Sequence, residues 1–154
     1  MTEYVLCFAV SIDNPDIDWI VLVEKKHSDW QPAGYTLPGG RMRSVDETPE
    51  GAATRLLKSS TSLETQVGDC EVRGTMYGLD YVSHVVLCPF HGPFSVNYSG
   101  GHHPLVTGLR EALGLGMNIL PELRVIIPLC IARTHFRMLV SDDRNFFSYT
   151  LQVS

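Results

Sequence analysis

Short hydrophobic blocks, separated by polar and turn-forming residues, recur along the whole chain. Five of these blocks predict β-strands, at residues 4–12, 19–24, 35–37, 67–77 and 81–89. Asp, Asn, Gly and Pro residues between the blocks predict turns, because they favour the backbone conformations that turns require. Alternation within the last two blocks is imperfect, which is typical of strands that are covered on both faces.

The C-terminal third combines helical and strand patterns. Residues 104–115 predict a short helix, and residues 118–134 predict a longer one in which apolar side chains recur at helical spacing. Pro128 falls inside the second segment and predicts a kink or an early end, because proline lacks the amide hydrogen. Residues 136–140 and 146–153 flank a polar stretch and predict a terminal β-hairpin.

A glycine turn and a capped helix lie between the third and fourth predicted strands. Gly39 and Gly40 give the backbone freedom to turn sharply or to approach a ligand closely. Thr48 followed by Pro49 is a helix start, with a hydroxyl at the N-cap and proline at the first helical position. Glu50 then lies in the first turn, where the helix dipole favours an acid. The sequence therefore predicts a strand end, a loop and a helix.

This segment resembles the Nudix box of the MutT-like diphosphohydrolases. That motif is a glycine, five residues, Glu, seven residues, Arg-Glu, an aliphatic residue, any residue, Glu-Glu, any residue, glycine and an aliphatic residue. Here the lead-in is Leu37-Pro38-Gly39-Gly40, and the matching positions are Glu47, Arg55, Leu57 and Leu63. The resemblance implies an α/β fold, the Nudix-type α/β/α sandwich with a mixed β-sheet.

The chain departs from the motif at the positions that carry the family's chemistry. Six residues separate Gly40 from Glu47, and the final glycine is replaced by serine. The three helix carboxylates are replaced by Leu56, Ser59 and Ser60. Mg²⁺ and Mn²⁺ prefer charged oxygen ligands, which leucine and serine do not supply. The resemblance thus implies a Nudix pyrophosphohydrolase fold, whereas the departures predict impaired catalysis, no metal bound at the helix and no cofactor.

Two sets of residues are candidates for the functional site. Glu47 and Arg55 are the retained box residues, and the resemblance implies an ion pair between them that ties the loop to the helix more than it implies chemistry. The candidate substrate-binding residues are Gly39, Gly40, Arg41, Arg43, Lys58 and Trp30. Arginine offers bidentate donors to phosphate, so a pocket without metal could bind a nucleotide or another phosphorylated small molecule directly. The alternative is that these cations form a solvated basic face.

The sequence is also compatible with other functions. An active hydrolase could bind Mg²⁺ or Mn²⁺ through relocated ligands, for which the acids near the box are candidates: Asp46, Glu47, Glu50 and Glu64. His102 and His103 are adjacent in sequence, which suits loop residues at the surface better than a metal site. A weaker alternative is a protein-interaction module on the same scaffold.

Composition narrows the class of protein. The 154 residues, 44% hydrophobic and 19% charged, suit a single domain over residues 1–154. A net charge of -5 argues against a nucleic-acid polymer as partner. No apolar run is long enough to predict a membrane span, and four cysteines without metal-type spacing predict free thiols in the cytoplasm. The resemblance also implies a possible homodimer.

Overall fold

The computed structural model describes residues 1–13, 19–25, 34–44, 47–93, 96, 104–114, 118–132, 134–140 and 147–152, with the backbone alone at residues 25 and 147–152. Trp30, His102 and His103 lie outside this range. Nine strands are described: β1 Thr2–Ser11, β2 Trp19–Lys25, β3 Gly34–Thr36, β4 Gly39–Arg41, β5 Glu71–Tyr77, β6 Tyr81–Phe90, β7 Pro104–Gly108, β8 His135–Val140 and β9 Phe147–Gln152. The described helices are α1 Pro49–Thr61, α2 Leu109–Leu113 and α3 Leu123–Ile131, with a 3-10 turn at Val67–Asp69.

The strands form two sheets. The larger has the order β4-β1-β6-β5-β8-β9 and the smaller has the order β3-β2-β7. The larger sheet is mixed, since β1 pairs with β6 and β5 with β8 in parallel, while its other pairs are antiparallel. A parallel pair requires a crossover connection, and α1 lies in the chain between β1 and β6.

Alternate residues of the central strands enter two separate hydrophobic clusters. Cys7 of β1 and Val86 of β6 pack on the side of α1, whereas Phe8 and Val85 pack on the side of α3. Helix α1 contributes Ala52, Ala53 and Leu57 to the first cluster, which we call the α1-side cluster. Helix α3 contributes Leu123, Ile126, Ile127 and Cys130 to the second. Because successive side chains of a strand point to opposite faces, the sheet lies between the two helices. The predicted α/β/α sandwich with a mixed sheet is confirmed.

Helix α1 begins as its sequence predicts. Thr48 Oγ1 accepts a hydrogen bond of 3.1 Å from the Gly51 amide, and Pro49 occupies the first helical position. The helix ends at Ser62, which adopts the left-handed conformation with φ of 70° and donates its amide to the Lys58 carbonyl. Glycine is the usual residue at such a position, so serine adopts this conformation at a cost of about 1 kcal/mol.

Four predicted features differ from the structure. The turn expected at Gly39 and Gly40 is strand β4, which pairs with β1, and the glycines fit there because the backbone lies close to its neighbours. Residues 104–115 were expected to be helical, but residues 104–108 form β7, which pairs with β2, and only Leu109–Leu113 is helix. Pairing with a neighbouring strand overrides a weak local helix preference, and a proline at the first strand position is tolerated. The last helix is confined to Leu123–Ile131, ending three residues after Pro128. The strand expected from residue 67 begins at Glu71, after the 3-10 turn.

The other boundaries are close to prediction, and the C-terminal hairpin is confirmed as the antiparallel pair of β8 and β9. None of the helices in the described part of the chain has the length and apolar character needed to cross a membrane.

Candidate functional site

A bidentate ion pair attaches the loop before α1 to the helix. Arg55 donates from Nε to Glu47 Oε2 at 3.1 Å and from Nη2 to Glu47 Oε1 at 2.8 Å. The same Nη2 donates to the Arg41 carbonyl at 3.2 Å, and the Arg43 amide donates to Glu47 Oε1 at 3.0 Å. We call this group the Glu47–Arg55 clamp. The ion pair that the resemblance implies is therefore present, and both of its side chains are partly exposed.

The clamp favours the ionised carboxylate of Glu47. Hydrogen bonds from the Arg55 side chain and then from the Arg43 amide lower the pKa of Glu47 below its ordinary value, despite partial desolvation. A lowered folded-state pKa contributes stability above the unfolded-state pKa, and this contribution is lost as the pH falls through the folded-state value.

Glu47→Gln is expected to lower the free energy of unfolding by about 1.5–3 kcal/mol at neutral pH, because it removes charge-assisted hydrogen bonds to Arg55. Chemical denaturation of wild type and variant between about pH 3 and 7 would measure this difference. The gap should shrink as the pH falls below the ordinary range of a glutamate. Glu64→Gln is the control, since the Lys58–Glu64 pair is exposed and should contribute little. A gap that stays constant with pH would contradict an ionic clamp.

The three positions that carry carboxylates in the Nudix motif form no ligand set here. Leu56 packs against the α1-side cluster and lies next to Gly40, where an added Cβ would be 3.1 Å from Leu56 Cδ2. The Ser59 and Ser60 hydroxyls both donate to the Leu56 carbonyl, at 3.1 Å and 2.7 Å. Ser60 is only 1% exposed. These side chains are committed to packing and to the helix backbone, so they do not fit a site for Mg²⁺ or Mn²⁺.

Relocated ligands are not gathered elsewhere in the described residues. No group of three or more His, Cys, Asp or Glu side chains in those ranges is arranged to hold a metal ion. Glu47 has both carboxylate oxygens bonded to Arg55, and Glu64 pairs with Lys58 at 3.1 Å. Asp46 lies outside the described residues.

The candidate binding residues are placed in different ways. Gly39 lies against β1, where an added Cβ would be 2.0 Å from the Val5 carbonyl oxygen. Arg41 alternates with Gly40 along β4, so its side chain points away from α1. Arg43 is exposed beside the clamp. Lys58 is two residues from both Leu56 and Ser60, about 200° around the helix from each, and so lies on the opposite side of α1.

The tertiary structure also assembles two groups that sequence reasoning missed. Cys7, Cys70 and Cys88 come together beneath α1, where the neighbouring Cys88 thiol and burial raise the pKa of Cys70. Arg73, Glu71 and His135 meet where β5 and β8 begin. Sequence spacing carries no signal for either group, because the residues come from segments far apart in the chain.

Solved structures similar to this chain include MutT and Nudix proteins. A mutator MutT protein from Bacillus halodurans is 15% identical, with 99% of this chain and 98% of that chain covered and a TM-score of 0.72. A Nudix-family hydrolase from Clostridium perfringens is 17% identical over 85% of this chain and 96% of that chain, with a TM-score of 0.60. An ADP-ribose pyrophosphatase from Streptococcus suis is 17% identical over 85% and 90%, with a TM-score of 0.55. No protein-family model and no curated protein matches the sequence.

At these identities the likeness shows the fold. The chain has the fold of the MutT and Nudix hydrolases. The Nudix-type fold that the sequence resemblance implied is therefore confirmed.

Proposed function

We propose that this protein is a Nudix-superfamily member, related to the nucleoside-diphosphate-linked pyrophosphohydrolases, that binds a nucleotide or another phosphorylated small molecule with little or no hydrolysis. The proposed loss of hydrolysis is based on three positions of α1 that are carboxylates in the Nudix motif. Here they are a packed leucine and two serines whose hydroxyls bond to the helix backbone. Without anionic ligands, the helix cannot hold the metal ions that polarise phosphate and activate water.

The ligand class is supported by the fold and by cationic side chains at the loop before α1. A fold neighbour is described as an ADP-ribose pyrophosphatase, an enzyme whose substrate is a phosphorylated nucleoside derivative. Arg43 is exposed beside the clamp and can pair with phosphate, and the backbone of Gly39 and Gly40 lies in β4 at the edge of the larger sheet. Lys58 is left out of the proposed set because of its position on the far side of α1. A cytoplasmic location, supported by four free cysteines, belongs to the same proposal, as does a homodimer.

An active hydrolase with relocated ligands is the second candidate, favoured by the activities named for the fold neighbours. Glu50 is the acid in the first turn of α1, and it forms no ion pair with any of the described residues. A single Mg²⁺ or Mn²⁺ bound there is the form that this candidate would take. A protein-interaction module is the third candidate, and it would bind none of these small molecules.

Incubating the protein with nucleoside triphosphates, ADP-ribose and dinucleotides in Mg²⁺ or Mn²⁺ is expected to release no phosphate or nucleoside monophosphate at enzymatic rates, which are on the order of 1–1000 per second. Thermal shift with the same compounds in EDTA is expected to raise the melting temperature for at least one of them, because a ligand selective for the native state stabilises it.

Arg43→Gln is the variant that tests the binding site, and Arg110→Gln, an exposed arginine on α2, is its charge-matched control. The shift should shrink in the first and persist in the second. Turnover at ordinary rates would support the active hydrolase and end the proposal. No shift with any compound would support the interaction module.

A further inference from the structure

A pocket of about 170 Å³ opens between β5 and β8, apart from the loop before α1. Its polar lining is formed by Arg73, Thr75, Tyr77, His135 and Arg137. The backbone at Gly74 lies at its base, where the Phe136 ring leaves no room for a Cβ. We call it the β5–β8 pocket.

The β5–β8 pocket lies on the same face of the sheet as α1. Thr75 pairs with His84, which is two residues from Val86 of the α1-side cluster, and Arg137 pairs with Thr75. Residues two apart on a strand, and residues paired across strands, share a face. The pocket is therefore a concave stretch of this face, toward the β8–β9 edge of the sheet.

Arg73 enters this pocket because β5 contains a bulge. The register of β5 against β6 shifts between Val72 and Gly74, so Arg73 is an extra residue without a partner on β6. Bulges of this kind re-aim a side chain and recur next to functional sites. Here the bulge buries an arginine at the point where β8 begins.

The hydrogen bonding of Arg73 is incomplete. Its side chain is 6% exposed. Among the described residues, Nη1 has one partner, Glu71 Oε1 at 2.9 Å, and the buried Nε has none. The same Glu71 oxygen lies 3.1 Å from His135 Nε2, so it is shared between two groups. Unpaired donors of a buried guanidinium are costly, and native proteins normally supply them with an acceptor.

The surrounding charge favours an anion as that acceptor. Arg137 is exposed at the rim, and no ion pair or hydrogen bond of its side chain is found within the described ranges. Two guanidinium groups therefore face one carboxylate, which leaves the pocket positive in a chain whose net charge is -5. Guanidinium groups on neighbouring strands present several N–H donors, an arrangement that suits the multiple oxygens of a tetrahedral oxyanion.

We propose that the β5–β8 pocket binds a phosphate-type oxyanion between the guanidinium groups of Arg73 and Arg137, with the Thr75 hydroxyl and the imidazole of His135 beside it. The site is separate from the clamp and does not depend on the function proposed above. Its ligand is either a free oxyanion or the phosphoryl group of a small metabolite, which share this chemistry.

Two-dimensional proton–nitrogen NMR of the whole chain, titrated with sodium phosphate at constant ionic strength, tests the site. Saturable shifts are expected at the side-chain Nε–H of Arg73 and at the amides of residues 73–75 and 135–137, with the loop before α1 unaffected. Arg137→Gln is expected to weaken binding about 10-fold or more, because a hydrogen bond between charged groups is lost. Arg110→Gln, an exposed arginine on α2, should leave the dissociation constant within about 2-fold of wild type.

Arg73→Lys keeps the charge without the planar fork, and should also bind about 10-fold less tightly. The melting temperature of Arg73→Lys shows whether this buried variant is folded. If it is not folded, the test of the proposal is the binding of phosphate by Arg137→Gln, a variant at the exposed rim. A parallel titration with AMP distinguishes a free oxyanion from the phosphoryl group of a metabolite. If AMP shifts the same signals at a lower concentration than phosphate does, the ligand is a phosphoryl group on a metabolite. No saturable shift up to about 100 mM phosphate, or equal binding by Arg137→Gln and Arg110→Gln, would overturn the proposal.

Discussion

Ser60→Glu, which introduces the acid that the Nudix motif has at this position, is expected to destabilise this protein by about 3 kcal/mol or more. Ser60 is 1% exposed and its hydroxyl is bonded to the Leu56 carbonyl, so a glutamate there would place an unpaired charge in the α1-side cluster. The charge would also lie in the last turn of α1, where the helix dipole disfavours an acid. A fall in melting temperature of roughly 6–12 °C should follow in differential scanning calorimetry.

Ser59→Glu is the matched control. It adds the same side chain one residue earlier, at an exposed position, and should change stability by less than about 0.5 kcal/mol. Adding Mg²⁺ should not recover the stability of Ser60→Glu, because no carboxylates accompany it at Leu56 and Ser59. If the two variants prove equally stable, or if Mg²⁺ rescues Ser60→Glu alone, then position 60 faces a metal-competent groove and α1 is not closed to metal ions.

Gly39→Ala is expected to be as damaging, for a steric reason. A Cβ at residue 39 would lie 2.0 Å from the Val5 carbonyl oxygen, which is backbone and cannot swing aside. Strand β4 would have to move off β1, together with the turn that leads into the clamp. We expect a loss of about 3 kcal/mol or more, at the upper end of the cost of overpacking, measured as the midpoint of urea unfolding.

Gly68→Ala provides the comparison for that variant. Residue 68 lies in the 3-10 turn, its added Cβ meets nothing within 4 Å, and its backbone is not left-handed. The substitution should be neutral or stabilise the protein by up to about 1 kcal/mol, because alanine restricts the unfolded chain. Similar midpoints for the two variants would show that close approach of β4 to β1 does not explain the glycine at position 39.

Local chemistry made part of the fold predictable. Thr48, Pro49 and Glu50 are a helix start in any context, and α1 begins there because capping depends on neighbouring residues only. The strands β1, β2 and β6 were also predictable, since each is a continuous apolar block. Residues 104–108 were not, because whether a short apolar segment becomes a strand depends on the partner that it meets, here β2.

The candidate site likewise has features that the sequence predicted and features that only the fold revealed. The amino-acid order alone shows that α1 carries Leu56, Ser59 and Ser60 in place of three acids, since that is a matter of residue identity and spacing within one helix. Helical spacing also places Lys58 on the far side of α1 from Leu56 and Ser60, whereas only the folded chain shows that Ser60 is buried. The meeting of Arg73 with His135 in the β5–β8 pocket likewise depends on a bulge and on parallel pairing of strands distant in the chain. Short-range order sets helix starts and residue types, whereas burial and long-range charge pairing follow from packing, which no local segment encodes.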